Sequence, residues 1–372
     1  MLMGLLKPAR IGLALIGGAV VLAGCEPPPV DTVQRGYRGT GMDEIYHPAT
    51  IAAELAKNQP PQLTPAASAD GPKAGAIYQN VKVLGDLSVG QFAGLMVDIT
   101  NWVAPAQGCT YCHVGGNFAE DTLYTKVVAR RMLQMTQHIN GDWKQHVAAT
   151  GVTCYTCHRG NNVPTNIWFK SADGADAHGM LGWKAGQNAP DKSVGYASLP
   201  NDPFTSYLEN SEEIRVNSTT ALPEGPVNPS IKNAEATYGL MMHMSKSLGV
   251  NCTYCHNSRS FASWETSTPQ RATAWYGIRM ARDLNKTYLD SLNGVFPPNR
   301  LGPTGDVPKL NCATCHQGAF KPLYGADILH GYPGLIGPKG ADYPAAPAKA
   351  AEAVPASPPP AVSESATKPG PG

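Results

Sequence analysis

Apolar residues recur at three- and four-residue spacing in four stretches of the chain, and each stretch predicts a helix with one apolar face. From Ser88 to Trp102 that face is Phe92, Leu95, Met96 and Ile99. From Leu123 to Ile139 it runs through Val127, Val128, Arg131, Met132 and Met135. Ile231 to Leu248 and Gln270 to Leu292 are their counterparts further along, and one short helix is expected near Asp43–Lys57. No segment alternates well enough to predict a substantial sheet. The predicted fold class is therefore mainly α with extensive coil.

Hydropathy also singles out Ile11 to Gly24, preceded by the cations Lys7 and Arg10 and closed by Leu22-Ala23-Gly24-Cys25. As a helix it would reach only ~21 Å, short of the ~30 Å hydrocarbon core. It predicts a signal peptide over residues 1–24 rather than a membrane span. The Leu-Ala-Gly-Cys ending resembles a bacterial lipobox, which makes Cys25 the expected acylated first residue of a lipid-anchored protein. Glu26-Pro27-Pro28-Pro29 then suits a stiff tether.

Composition sharpens the picture. The 39 glycines and 33 prolines are about a fifth of the chain, against roughly 12% in an average domain. Charged residues are only 15%. Long irregular connections wrapped around an apolar body that the chain does not supply would explain both. Net charge is +1, with no basic run or basic helix face, so nucleic acid is not an expected partner.

The nine cysteines decide the chemistry. Apart from Cys25 they form four pairs, Cys109/Cys112, Cys154/Cys157, Cys252/Cys255 and Cys312/Cys315, each spaced C-x-x-C. Each pair is followed at once by a histidine: His113, His158, His256 and His316. C-x-x-C-H is the attachment signature of c-type haem. Two thiols three residues apart reach the two vinyl groups of one porphyrin, and the next residue offers its imidazole to the iron. A disulfide framework would not place a histidine after every pair. Structural zinc would leave four histidines surplus, and a thioredoxin-like motif occurs once, not four times. The expectation is four covalently bound haem c groups.

An internal repeat organises the chain. Gly94-Leu95-Met96 precedes the first motif and Gly239-Leu240-Met241 the third, while Arg131-Met132 precedes the second and Arg279-Met280 the fourth. The chain is expected to comprise an N-terminal arm (25–74), a first dihaem half (75–165) and a connector (166–229). A second dihaem half (230–340) and a disordered Pro/Ala-rich tail (341–372) follow. The halves are pseudo-symmetric.

Each iron needs a sixth ligand, usually a Met thioether or a second His. The repeat selects Met96 and Met241, 17 and 15 residues before their histidines, and Met132, 26 residues before His158. Met135 lies one turn from Met132 and competes with it. For the fourth iron, symmetry offers Met280, and His138, His146 and His243 stand beside it; spacing alone does not choose.

Four C-x-x-C-H motifs in two halves, a lipobox, and Gly-Leu-Met before motifs one and three resemble the tetrahaem cytochrome subunit of purple bacterial photosynthetic reaction centres, over about residues 20–330. The resemblance implies three His/Met haems and one bis-His haem. Its second histidine comes from just before the second motif, which is His146 here, and Met280 becomes packing. It implies a linear haem order of one, two, four, three. It also implies a function: re-reducing the photo-oxidised special pair from the periplasmic face of the inner membrane. The partners would be the reaction-centre membrane subunits and a soluble donor, another c-type cytochrome or a high-potential iron–sulfur protein. With all irons six-coordinate, the protein is an electron carrier, not an enzyme. The alternatives are a multihaem periplasmic carrier or reductase subunit unconnected with photosynthesis. Glu120-Asp121 and Glu209, Glu212 and Glu213 are read as solvated surface, with steering of a basic donor as the functional alternative.

Overall fold

A computed structural model of the chain describes residues 30–34, 43–171, 191–217 and 227–337. The signal segment, Cys25 and the Pro/Ala-rich tail lie outside these residues. The helices are α1 (Pro48–Lys57), α2 (Ala74–Ile77), α3 (Val89–Val103), α4 (Tyr124–Asp142), α5 (Lys144–Val147), α6 (Cys154–His158), α7 (Ile231–Leu248), α8 (Pro269–Asp283) and α9 (Cys312–His316). Strands β1 (Asp31–Gln34) and β2 (Asp43–Tyr46) pair antiparallel, as do β3 (Ile167–Trp168) and β4 (Lys309–Leu310). The fold is mainly helical with much coil. None of the described helices is long and apolar enough to cross a membrane.

Local chemistry sets the helix limits. Ser88 caps α3 by a capping box with Gln91, which satisfies two of the first-turn donors. Ser230 accepts from the Asn233 amide at the start of α7. At the end of that helix Gly249 takes φ +65°, and a Cβ there would collide with the Gly318 carbonyl just after the fourth motif. Two expectations are corrected. Residues 43–46 are strand, and the helix begins only at Pro48, where proline loses no hydrogen bond. The long helix expected to Leu292 ends at Asp283, continuing as a π turn (Leu284–Leu289) and a 3-10 turn.

Two hydrophobic clusters form the core. One joins Leu84, Leu87, Leu95, Trp102 and Leu133 to Leu329, Tyr332 and Leu335 from the far end of the chain. The N-terminal arm crosses the other way: Glu44 accepts from the Asn251 amide at 2.8 Å, and Asn58 donates to the Gln317 carbonyl at 3.1 Å. Each end therefore completes the opposite repeat. The other cluster includes Ile139, Leu240, Ile278 and Leu284, and takes Trp168, Phe204, Tyr207, Leu208 and Ile214 from the stretch read as a connector. Full burial of each such side chain is worth ~1.5–3 kcal/mol. The stretch between the halves thus contributes these five side chains to the core.

Candidate functional site

The four motifs adopt two geometries. Motifs one and three sit on 3-10 turns, Gly108–Tyr111 and Cys252–Tyr254, each followed by a loop. In each loop the Nδ1–H of the motif histidine donates to a phenylalanine carbonyl five residues on: His113 to Phe118 at 3.1 Å and His256 to Phe261 at 2.9 Å. A threonine then donates to the motif tyrosine carbonyl, Thr125 to Tyr111 and Thr268 to Tyr254. Motifs two and four form the short helices α6 and α9. The Thr153 amide donates to Thr156 Oγ1 and the Asn311 amide to Thr314 Oγ1. Here the Nδ1–H reaches a carbonyl three residues on, His158 to Asn161 and His316 to Ala319, both at 2.9 Å.

A carbonyl only accepts, so each of the four rings carries a proton on Nδ1, and in its neutral form leaves Nε2 bare. Burial pushes His158 and His256 below the usual histidine range. It takes His316 to about 4, with the His146 ring adding to the effect. Neutral imidazole is the form that binds a metal. Burial also pushes the Cys112 thiol up to about 11 and those of Cys154, Cys255 and Cys312 up to about 12. Burial in apolar surroundings is the cause in each case, and it disfavours the thiolate form. Among the described residues no group of three or more His, Cys, Asp or Glu converges as a metal site.

Contacts that sequence reasoning missed hold the motifs in register. Asn140 Nδ2 donates to the Val152 carbonyl, and the Val152 amide donates back to Asn140 Oδ1, two residues before Cys154. Asn285 makes the same pair with Leu310, two residues before Cys312. The Gly160 amide donates to the Trp102 carbonyl and the Gly318 amide to that of Ser247, both at 2.8 Å. Two asparagines 145 positions apart carry no signal in a single sequence.

A continuous cavity of ~810 Å³ runs through the first repeat, within the ~300–1,000 Å³ usual for ligand sites. Met96, Cys109, Cys112 and His113 line it together with Met132, Cys154, Cys157 and His158, so both expected ligand sets share one apolar space. Met135 lines it too and remains beside Met132. In the second repeat Met241 packs at the edge of the core cluster. The indole N–H groups of Trp264 and Trp275 are buried there without an acceptor. Buried donors are normally satisfied, and haem propionates are acceptors of the right kind. An apolar cavity, paired thiols, neutral imidazoles and orphaned donors together fit haem c.

The fourth motif gains its partner from the first repeat. The His146 ring centre lies 6.0 Å from that of His316. Metal–imidazole bonds of about 2 Å put two opposed ring centres roughly 6 Å apart. The His146 Nδ1–H donates to the Thr273 carbonyl at 2.9 Å, leaving its Nε2 bare as well. Its seat is Gly277: a Cβ there would stand 2.5 Å from His146 Cε1 and 2.8 Å from Nδ1. Counted eight residues back from the asparagine clamps, Gly277 is the counterpart of Met132, and Met280 that of Met135. The Arg-Met match in sequence is thus one helical turn out of register. Met280 packs on the core, and the imidazole of His146 occupies the place that a side chain at position 277 would take.

The other candidates lie elsewhere. His138 bonds Asp142 at 2.7 Å and Asp283 at 2.6 Å, tying α4 to α8. His243 is buried against Phe204 and Ser247, and burial lowers it to about 4. Two of the acidic groups are not plain surface. Asp121 is bound by Lys126 and Arg130, and Glu209 is buried and paired with Lys170. Cys157 and Cys315 lie sulfur to sulfur as a disulfide with Cα atoms 4.4 Å apart, which sets motifs two and four side by side. A sulfur held in that bond has no S–H to give a thioether, so disulfide and attachment exclude one another.

The sequence matches the family model of the photosynthetic reaction centre cytochrome c subunit over residues 26–336. It is 59% identical over 320 residues to the photosynthetic reaction center cytochrome c subunit of Rubrivivax gelatinosus, covering 86% of this chain and 87% of that protein. The protein of the same name from Thermochromatium tepidum is 52% identical, over 86% of this chain and 79% of its own. That from Roseobacter denitrificans is 40% identical, over 87% and 91%.

Proposed function

The chain belongs to the photosynthetic reaction centre cytochrome c subunits, electron carriers rather than enzymes, and from that premise we propose that it carries four haem c groups and passes electrons along them to the photo-oxidised special pair. When bound, each haem supplies a one-electron Fe(III)/Fe(II) couple. The chain supplies everything that makes four such couples a wire. The eight motif cysteines would fix the rings covalently, two to each haem, which requires Cys157 and Cys315 to be reduced thiols when their haems are attached. His113, His158, His256 and His316, each oriented by its Nδ1–H bond, would hold the four irons, with Met96, Met132, Met241 and His146 as the second protein ligands. This ligand set leaves no face for a substrate. Cys25, one residue before the matched region, is the proposed lipid attachment point on the periplasmic side, and a soluble periplasmic cytochrome or high-potential iron–sulfur protein the proposed donor.

The approach of His146 to His316 carries this reading, because it supplies the fourth motif with a partner from the other repeat, next to the second motif. It supports the order one, two, four, three. The test is flash spectroscopy on isolated membranes, with mass spectrometry of the four motif peptides. The expected result is bleaching of c-type bands as the special pair recovers, and haem on every motif. Absence of flash-induced haem oxidation, or a motif peptide carrying no haem, overturns it.

A further inference from the structure

The acceptor that orients His113 is shared with a cation. The Phe118 carbonyl receives the His113 Nδ1–H at 3.1 Å and also the Lys126 ammonium at 2.7 Å. Lys126 is only 7% exposed, donates as well to the Glu120 carbonyl at 2.8 Å, and sits 3.1 Å from Asp121. The site is therefore built, not a passing surface contact. The other three motif histidines bond to carbonyls that no cation reaches in the described residues. Around the third motif Arg271 donates to the Ser263 and Ala262 carbonyls, past Phe261.

We propose that Lys126 is a positioning residue that raises the potential of the haem at the first motif by acting through the Phe118 carbonyl. This rests on the four-haem reading above. A hydrogen bond from a ligating imidazole to a good acceptor makes the ring a stronger electron donor to its metal. An ammonium on the same oxygen withdraws density from it and weakens its pull on the Nδ1 proton. The His113 ring is then a poorer donor, and the oxidised iron loses more stabilisation than the reduced iron. Hydrogen bonding and local charge are recognised levers on haem potential. This device is built into one of two otherwise matching loops.

The test is a redox titration of the intact protein carrying Lys126→Met. The expected result is a first-site potential lower by about 59 mV, a tenfold change in the oxidised-to-reduced ratio for one electron, with the third site unmoved and Lys126→Arg returning most of the shift. In the reduced protein the His113 Nδ1 proton resonance should move downfield. Arg130→Met removes a neighbouring charge that also binds Asp121 (2.8 Å) but donates to the Asn80 carbonyl instead. It should move the first site by less than a third as much. Equal shifts in the two variants, or none in Lys126→Met, overturn the proposal. Should Lys126→Met fail to assemble, Asp121→Asn keeps the shared carbonyl intact and should raise the first-site potential; an unchanged or lowered value overturns it. Mass spectrometry separates the two levels. A first motif without haem in the unmodified protein sinks the four-haem reading, whereas haem present at an unchanged potential sinks only the role of Lys126.

Discussion

Motifs one and three differ from motifs two and four in how they are held. The first pair lies on 3-10 turns with Cys109 and Cys252 exposed, and Phe118 and Phe261, which accept the histidine bonds, are 57% and 50% exposed. The second pair sits on capped helical turns with Thr156 and Thr314 buried, clamped by Asn140 and Asn285 and set against one another. A wire needs ends that partners can approach and a middle kept from water. The odd motifs have the character of ends and the even motifs that of a middle, as the proposed order requires.

The largest effect should come from the middle. In His146→Ala the fourth iron loses its partner, and carbon monoxide, which should not bind the unmodified reduced protein, should bind at one site per chain. A variant that still binds none would take His146 off the ligand list. Gly277→Met with His146→Ala tests the register argument: the thioether should restore a six-coordinate fourth site at a higher potential than His146 gives, since Met ligation raises potential. Failure to exclude carbon monoxide would mean that Gly277 is not the counterpart of Met132. Next comes Asn140→Ala, which strips partners from the Val152 and Leu335 carbonyls and the Val152 amide. Leaving buried groups unpaired should cost about 3 kcal/mol in chemical denaturation, and Asn285→Ala should match it; a large asymmetry would break the equivalence of the two clamps.

The smallest effect concerns Tyr332, whose hydroxyl donates to the buried Asp98 at 2.6 Å beside a like bond from Thr64. Tyr332→Phe should cost about 2 kcal/mol near neutral pH. Burial, then Asp98, holds the Tyr332 hydroxyl above its usual range. The unfolded chain sheds that proton from about pH 10 while the folded chain keeps it, so the stabilisation is complete below pH 10 and declines as pH rises past it. Denaturation midpoints of wild type and variant should converge in that window; parallel curves would remove Tyr332 from the account.

Much of the proposed site is legible in sequence because covalent haem attachment imposes a fixed local spacing. Eight cysteines and four histidines are found by counting, and Met96 and Met132 lie on the helix faces that periodicity marks out. The pairing of His146 with His316 was named only through resemblance. Its physical basis is a glycine, whose meaning is the side chain it lacks, seen only when helices α4 and α8 are aligned in space. The Arg-Met repeat matches in residue identity but not in register, since Met280 aligns with Met135 when the asparagine clamps are superposed. Asn140, Asn285 and Lys126 act on main-chain carbonyls, which every residue possesses, so nothing in their neighbours' identities announces them. Residues 191–217 look like coil by composition, yet Tyr207 and Leu208 are wholly buried on a single π-helical turn, Thr205–Glu209; one turn is too short to show a period.

The crossed ends of the chain bear on how it can be made. Asn58 meets Gln317 across 259 positions, Asp98 meets Tyr332 across 234, and Asn140 meets Leu335 across 195. Contacts of such sequence separation form late and slowly. The early part of the polypeptide therefore waits, open and unlocked, until almost its last described residue has emerged. Such a delay would leave the motif thiols reachable for cofactor attachment before Tyr332 and Leu335 close over them, like a clasp fastened over a finished string.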